Sequence, residues 1–219
     1  MSIDLSANPL LVSGAVFLAG VATSLTPCLY ARGACRNDEA MIDQSAMRRY
    51  RIVRARCRDV ALLSAIELAA AELLRGHAPD AVLDNVTDDG VLQRARRERR
   101  LWVALMGDAP VGFAHVELLE PDAVHLEELD VRPEHGRRGL GARLIASVCR
   151  WAERRGSLAV TLTTFRDVPW NMPFYSRIGF TEIPAPALTP ALRGVLEAEA
   201  RQGLDPARRV AMRWRSHGR

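Results

Sequence analysis

Apolar and polar positions alternate over Tyr50–Ala55 (YRIVRA), which predicts a first strand. A helical apolar period follows from Val60 to Leu74, with Asp59 as its cap and Gly76 as its stop. Thr87-Asp-Asp opens a second, arginine-rich helix to about Arg99. Three strand signals come next: Leu101–Met106, Val111–Leu119 and Val124–Val131, joined by Gly-Asp-Ala-Pro and Pro121-Asp122 turns. Pro133 cannot donate to a ladder and ends the third of these. A glycine-rich loop then leads into an amphipathic helix, Ala142–Arg155, with Leu144, Ile145, Val148 and Trp151 on one face. Leu158–Thr164 reads as a strand, Asn171–Ile178 as a short helix, and Phe180–Ile183 and Val210–Trp214 as two closing strands. Between those two, Thr189-Pro190 opens a helix. The order predicts an α/β domain over 49–214, a mixed and mostly antiparallel sheet of six to seven strands flanked by helices, with a short tail at 215–219.

The first thirty residues differ from the rest. Between Asp4 and Arg32 no residue is charged, and Pro9–Tyr30 is apolar throughout. As a helix it would reach about 30 Å, the thickness of a bilayer core. Arginines follow the segment rather than precede it, so an anchored chain would keep its main domain in the cytoplasm. Three readings compete: an upstream start or fusion remnant ahead of Met41 and Met47, a single-span anchor at the inner membrane, or an extra apolar N-terminal helix packed on the domain. FLAGVATSLTPCLY also resembles the first transmembrane helix of the thiol-disulfide transporters of cytochrome c biogenesis. The second membrane cysteine of that family has no hydrophobic helix here, so its electron transfer is not carried over, and a membrane-tethered redox or haem-delivery fragment with Cys28 essential is a third functional reading. Residues 31–48 are polar and aperiodic and read as a linker.

Of the 219 residues, 48% are hydrophobic and 26% charged, with a mean hydropathy of −0.05, which suits a packed globular core. Thirty basic against 26 acidic residues give +4, too small an excess to argue for nucleic acid. All thirty are arginine, so lysine Schiff-base and Walker-type phosphate chemistry are excluded. The cysteines at 28, 35, 57 and 149 form no CxxC and have no paired histidines, which argues against a structural metal and for reduced thiols in the cytoplasm.

The chemistry concentrates in LEELDV-RPEHGRRGLG-ARLIASVCRWAERRG. Gly136, Gly139 and Gly141 permit close approach or positive φ. The loop's N–H groups and the helix start behind them suit an anion, and Arg137 and Arg138 add charge, as a pyrophosphate requires. A dinucleotide fingerprint would need a parallel βαβ unit, whereas hairpin-linked strands precede this loop.

From here the chain resembles the GCN5-related N-acetyltransferase superfamily over about Arg49–Trp214. The loop matches the acetyl-CoA pattern Q/R-x-x-G-x-G/A at Gly139 and Gly141 but has Gly136 at its first position. VPWNMPFYSRIGF, about 35 residues on, matches a second landmark through Asn171 and Tyr175. The resemblance implies direct acetyl transfer from acetyl-CoA to a primary amine of a small molecule or peptide, an acyltransferase of the EC 2.3.1 class. The carrier would lie in a V between the strand ending at Val131 and the strand Leu158–Thr164. Main-chain groups of Leu129, Asp130 and Val131 would hold the pantetheine and thioester, and Arg137, Arg138, Gly139, Leu140, Gly141 and Ala142 the diphosphate. Asn171 and Phe174 complete the binding set.

Tyr175 is the candidate acid for the departing thiolate, and His125, Glu127 and Glu128 are the candidate bases. Strict alternation places His125 and Glu127 on one face and Glu128 and Asp130 on the other, unless a bulge intervenes. His77, His115 and His135 read as surface or packing residues. Specificity would come from Asp59–Arg99 and Arg166–Trp170, where Glu67, Glu72 and Asp167 are able to attract a cation. Dimers are frequent among such proteins, so a homodimer is admitted. From another functional class, a non-catalytic coenzyme A-binding sensor or interaction module is the alternative, kept open by Gly136.

Overall fold

A computed structural model describes residues 49–120 and 123–216. The predicted anchor or extra helix at 9–30, the linker and the Cys28 reading fall outside the described residues. Seven strands form one sheet in the order β1-β2-β3-β4-β5-β7-β6: β1 Tyr50–Arg54, β2 Leu101–Met106, β3 Ala109–Glu120, β4 Ala123–Val131, β5 Ala159–Phe165, β6 Thr181–Glu182 and β7 Arg209–Arg215. All pairings are antiparallel except β4–β5. The helices are α1 Cys57–Val60, α2 Leu63–Ala71, α3 Asp80–Leu83, α4 Asp89–Arg97, α5 Leu140–Arg154, α6 Asn171–Arg177 and α7 Pro190–Arg201.

Helix α5 buries Leu144, Ile145, Val148 and Ala152 against Val124, Leu126, Leu129 and Val131 of β4 and Val160 and Leu162 of β5. On the other side, Leu63 and Ile66 of α2 pack with Leu101, Val103, Leu105 and Phe113, and Leu192 of α7 packs with Ile183 and Ala211. Burying each such side chain contributes about 1.5–3 kcal/mol. β3 and β4 approach closely at Gly112, where an added Cβ would lie 2.7 Å from the carbonyl oxygen of Asp130.

The caps of α4 and α7 follow the sequence. Asp88 accepts from Gly90 N–H at 2.8 Å, and Thr189 accepts from Leu192 N–H at 3.3 Å. The predicted helix from Val60 to Leu74 is corrected: it breaks at Ala61–Leu62 into α1 and α2. Asp59 is not its cap but lies inside α1, reaching back to accept from Arg56 N–H at 2.7 Å. That bond is half of a capping box at the start of α1, with Arg56 as its N-cap, and the apolar period runs on through the break at Ala61–Leu62.

Candidate active site

The parallel β4–β5 pairing covers Ala123↔Ala159, Val124↔Val160 and His125↔Thr161, and no pair follows. Beyond that rung the strands part, so the groups of Leu126–Val131 that face β5 have no strand partner, and a V opens toward the C-terminal end of β4. β4 also carries a bulge. His115 pairs with Glu128 and Val116 with Leu126, leaving Glu127 as the extra residue.

Core positions therefore shift phase, from Val124 and Leu126 to Leu129 and Val131. The expected alternation is corrected by this bulge: Glu128 and Asp130 share the face of His125, away from α5.

That face is a buried polar layer. His125 Nδ1 lies 2.9 Å from Thr161 Oγ1, and burial pushes this imidazole down to about 3, so it is neutral at physiological pH. Burial, with Glu117 and Glu199 nearby, raises the Glu127 carboxyl well above the usual range. Asp130 is raised by burial and by Glu67 of α2. Glu67, 1% exposed, accepts from Thr87 N–H and Oγ1–H at 3.1 Å, and burial pushes it up to about 7. Glu128, also buried, interacts with Asp130. Lower in the layer, burial alone would raise Glu117, but hydrogen bonds with His115 and Arg100 outweigh it and hold it at about 2. His115 is thus a packing residue, as expected.

Tyr175 is fully buried in the main core, 5.1 Å from the Phe174 ring and 5.8 Å from that of Phe180. Burial and the carboxyls of Asp130 and Glu128 push its phenol well above 10, so it stays protonated. Asn171, the first residue of α6, is 1% exposed, and neither its Oδ1 nor its Nδ2 has a hydrogen-bond partner among the described residues. A buried amide with both ends unmatched costs free energy unless something supplies partners.

The loop after β4 is open: Arg137, Arg138 and Gly139 are exposed. Arg137 (φ 55°) and Gly139 (φ 70°) are both left-handed, a cost the non-glycine residue accepts to turn the chain. No N–H from Arg137 to Ala142 bonds to a backbone carbonyl among the described residues, and Leu140, Gly141 and Ala142 form the first turn of α5. Tyr50, which sequence reasoning missed, braces this loop. Arg138 Nη1 donates to Tyr50 Oη at 2.9 Å, and that hydroxyl lies 2.9 Å from His135 Nδ1. Arg143 Nη2 donates to the Tyr50 carbonyl at 2.9 Å. Nothing local in YRIVRA signals contacts spanning 85 to 93 residues.

Two proposed cation attractors are corrected. Glu72 is paired with Arg75, and Asp167 with Arg208 at 2.7 Å, so their charge is already matched. Among the described residues no group of three or more His, Cys, Asp or Glu is placed to hold a metal ion, and no helix is long and apolar enough to cross a membrane.

Solved structures share this fold. The PaiA N-acetyltransferase of Thermoplasma acidophilum, in complex with coenzyme A, is 13% identical with a TM-score of 0.58, over 76% of this chain and 99% of that one. The Rv2747 protein of Mycobacterium tuberculosis, in complex with CoA, is 22% identical with a TM-score of 0.55, over 76% and 99%. N-acetylglutamate synthase of Neisseria gonorrhoeae, complexed with coenzyme A and N-acetyl-glutamate, is 18% identical with a TM-score of 0.58, but the match covers 77% of this chain and 35% of that one. Residues 66–180 match the family described as "Acetyltransferase (GNAT) family", slightly more than half of the chain, and the protein therefore belongs to that family, as an acyltransferase of the EC 2.3.1 class.

Proposed function

We propose that this chain transfers the acetyl group of acetyl-CoA to a primary amine of a small molecule or peptide, directly within a ternary complex. The observation that carries this reading is the V itself: β4 turns from β5 after His125 and leaves main-chain groups at Leu129, Asp130 and Val131 available to a pantetheine. The residues present fit such a carrier. The N–H groups from Arg137 to Ala142 suit its diphosphate, with Arg138 held in place by Tyr50. The unmatched Asn171 amide suits the pantetheine amides, and Phe174 packs beside it on α6.

The chemistry asked of the protein is modest. Holding amine and thioester together supplies the proximity contribution. One main-chain N–H from β4 aimed at the developing oxyanion is worth about 2–4 kcal/mol. Tyr175, kept protonated, serves as the acid for the departing thiolate. We assign proton removal from the amine to the carboxylates of the bulge, Glu127 or Glu128, rather than to His125, because an imidazole pushed to about 3 is a weak base.

Gly139→Glu in the full chain should abolish coenzyme A binding by calorimetry, because it places negative charge at the diphosphate. Gly139→Asn, which tolerates the left-handed backbone, should retain binding within about tenfold. Equal affinity of the Glu variant and the parent overturns the phosphate assignment. Thiol release across an amine panel separates a transferase from a non-catalytic coenzyme A module, which releases none.

A further inference from the structure

A second concavity lies at the opposite end of β4 and β5 from the V. It encloses about 430 Å3 between Glu120 at the end of β3, Ala123, Leu158 and the last residues of β7. A volume of that order holds a small organic molecule. Its walls are of two kinds. Leu158, Ile183 and Leu192 offer apolar surface, while Arg213 and Arg215 line the β7 side.

Two residues apart on one strand, these arginines present their side chains to the same face. Their register places Arg213 opposite Thr161 and Arg215 opposite Ala159. Neither guanidinium makes an ion pair or hydrogen bond among the described residues, and Arg213 Nε is buried with no acceptor. That sets them apart from Arg56, Arg75, Arg100, Arg166, Arg208 and Arg209, each of which is matched to a carboxylate. Two adjacent cations with a buried, unmatched N–H are relieved by an anion. Among the described residues Glu120 is the single acid on the lining, so the two arginines outnumber the described acids there by one charge. The first turn of α7, capped by Thr189, borders the cavity and adds the positive end of its dipole.

We propose that this cavity is a binding site for a small carboxylate with a short alkyl body, separate from the acetyl-transfer site. The carboxylate meets Arg213 and Arg215, and the alkyl part lies on Leu158, Ile183 and Leu192. The site reaches Thr161, whose hydroxyl contacts His125 at the last rung before the V. An occupant therefore touches the strand pair whose parting forms the active site, without entering it.

Calorimetry of the full chain with hexanoate, in saturating coenzyme A, tests this, with hexylamine as the control of opposite charge. Hexanoate should bind saturably at one site and hexylamine should not. Arg215→Gln, at an exposed position where folding is not at stake, should weaken hexanoate about tenfold, as should Arg213→Gln. Glu120→Gln should tighten it a few-fold, a gain that misfolding does not produce. Absence of saturable hexanoate binding, equal binding of hexylamine, loss of binding on adding coenzyme A, or indifference to all three substitutions overturns the proposal. Acetyl transfer and coenzyme A affinity are measured separately, so this site can fail while the transferase reading stands.

Discussion

Among the described residues Glu199 and Arg209 form the most deeply buried ion pair, and replacing Glu199 tests what holds the second face of the sheet together. Their side chains are 0% and 1% exposed. Arg209 donates from Nε to Glu199 Oε2 at 2.9 Å and from Nη2 to Oε1 at 2.7 Å; Nη2 also donates to Thr163 Oγ1 at 3.2 Å, and the guanidinium lies 4.6 Å from the Phe165 ring. Substituting Glu199→Leu leaves a guanidinium in the core with no countercharge and takes the acceptor from Thr163. Breaking a buried pair in this way costs about 3–5 kcal/mol. That is a large part of the 5–15 kcal/mol expected for a whole domain, and it corresponds to a fall in Tm of roughly 6–20 °C at this size. Arg209→Met should cost a similar amount by stranding the carboxylate. The double variant removes both charges and should return to within about 1 kcal/mol of the parent. Urea unfolding followed by circular dichroism gives the four corners of the cycle. The reasoning is refuted if either single substitution costs under about 1 kcal/mol, or if the double variant costs the sum of the singles.

Two further outcomes are expected. Tyr175→Phe should lower kcat about 100-fold in a thiol-release assay while leaving the KM for acetyl-CoA unchanged; because the phenol is held well above 10, the parent should show no basic limb from this group below pH 10. Glu67, raised by burial from 4.5 to about 7, binds its proton more tightly folded than unfolded, so its contribution to stability falls as pH rises from 4.5 to 7 and the penalty is complete above that. Glu67→Gln keeps an acceptor for Thr87 and should gain about 2–3 kcal/mol over the parent at pH 8 but almost nothing at pH 4, as read by urea midpoints at the two pH values.

β2 was legible because it is a run of apolar residues, nearly all of them buried: Leu101–Met106 is observed with the predicted ends. The caps at Asp88 and Thr189 were legible because their chemistry is local. The break at Ala61–Leu62 was not, since the helical period continues through it and no glycine or proline marks it. The bracing of the loop by Tyr50 and the Glu199–Arg209 pair were equally hidden. Each joins residues that look solvated or ordinary where they stand, and only the sheet order brings them together.

The bulge on β4 is a different case, because its trace was written in VHLEELDV. Apolar residues stand at Val124 and Leu126, then at Leu129 and Val131, and the doubled glutamate between them is the slipped step. A single extra residue in one strand bends it and increases its twist. On β4 that residue falls two positions after His125, the last to pair with β5. One insertion thus accounts for two features that alternation alone treats as unrelated. It turns β4 away from β5, which opens the V, and it rotates Glu128 and Asp130 onto the face of His125 beneath Glu67. The buried carboxyls and the parted strands are then consequences of the same local geometry, which is why the acid-rich layer lies where the V opens.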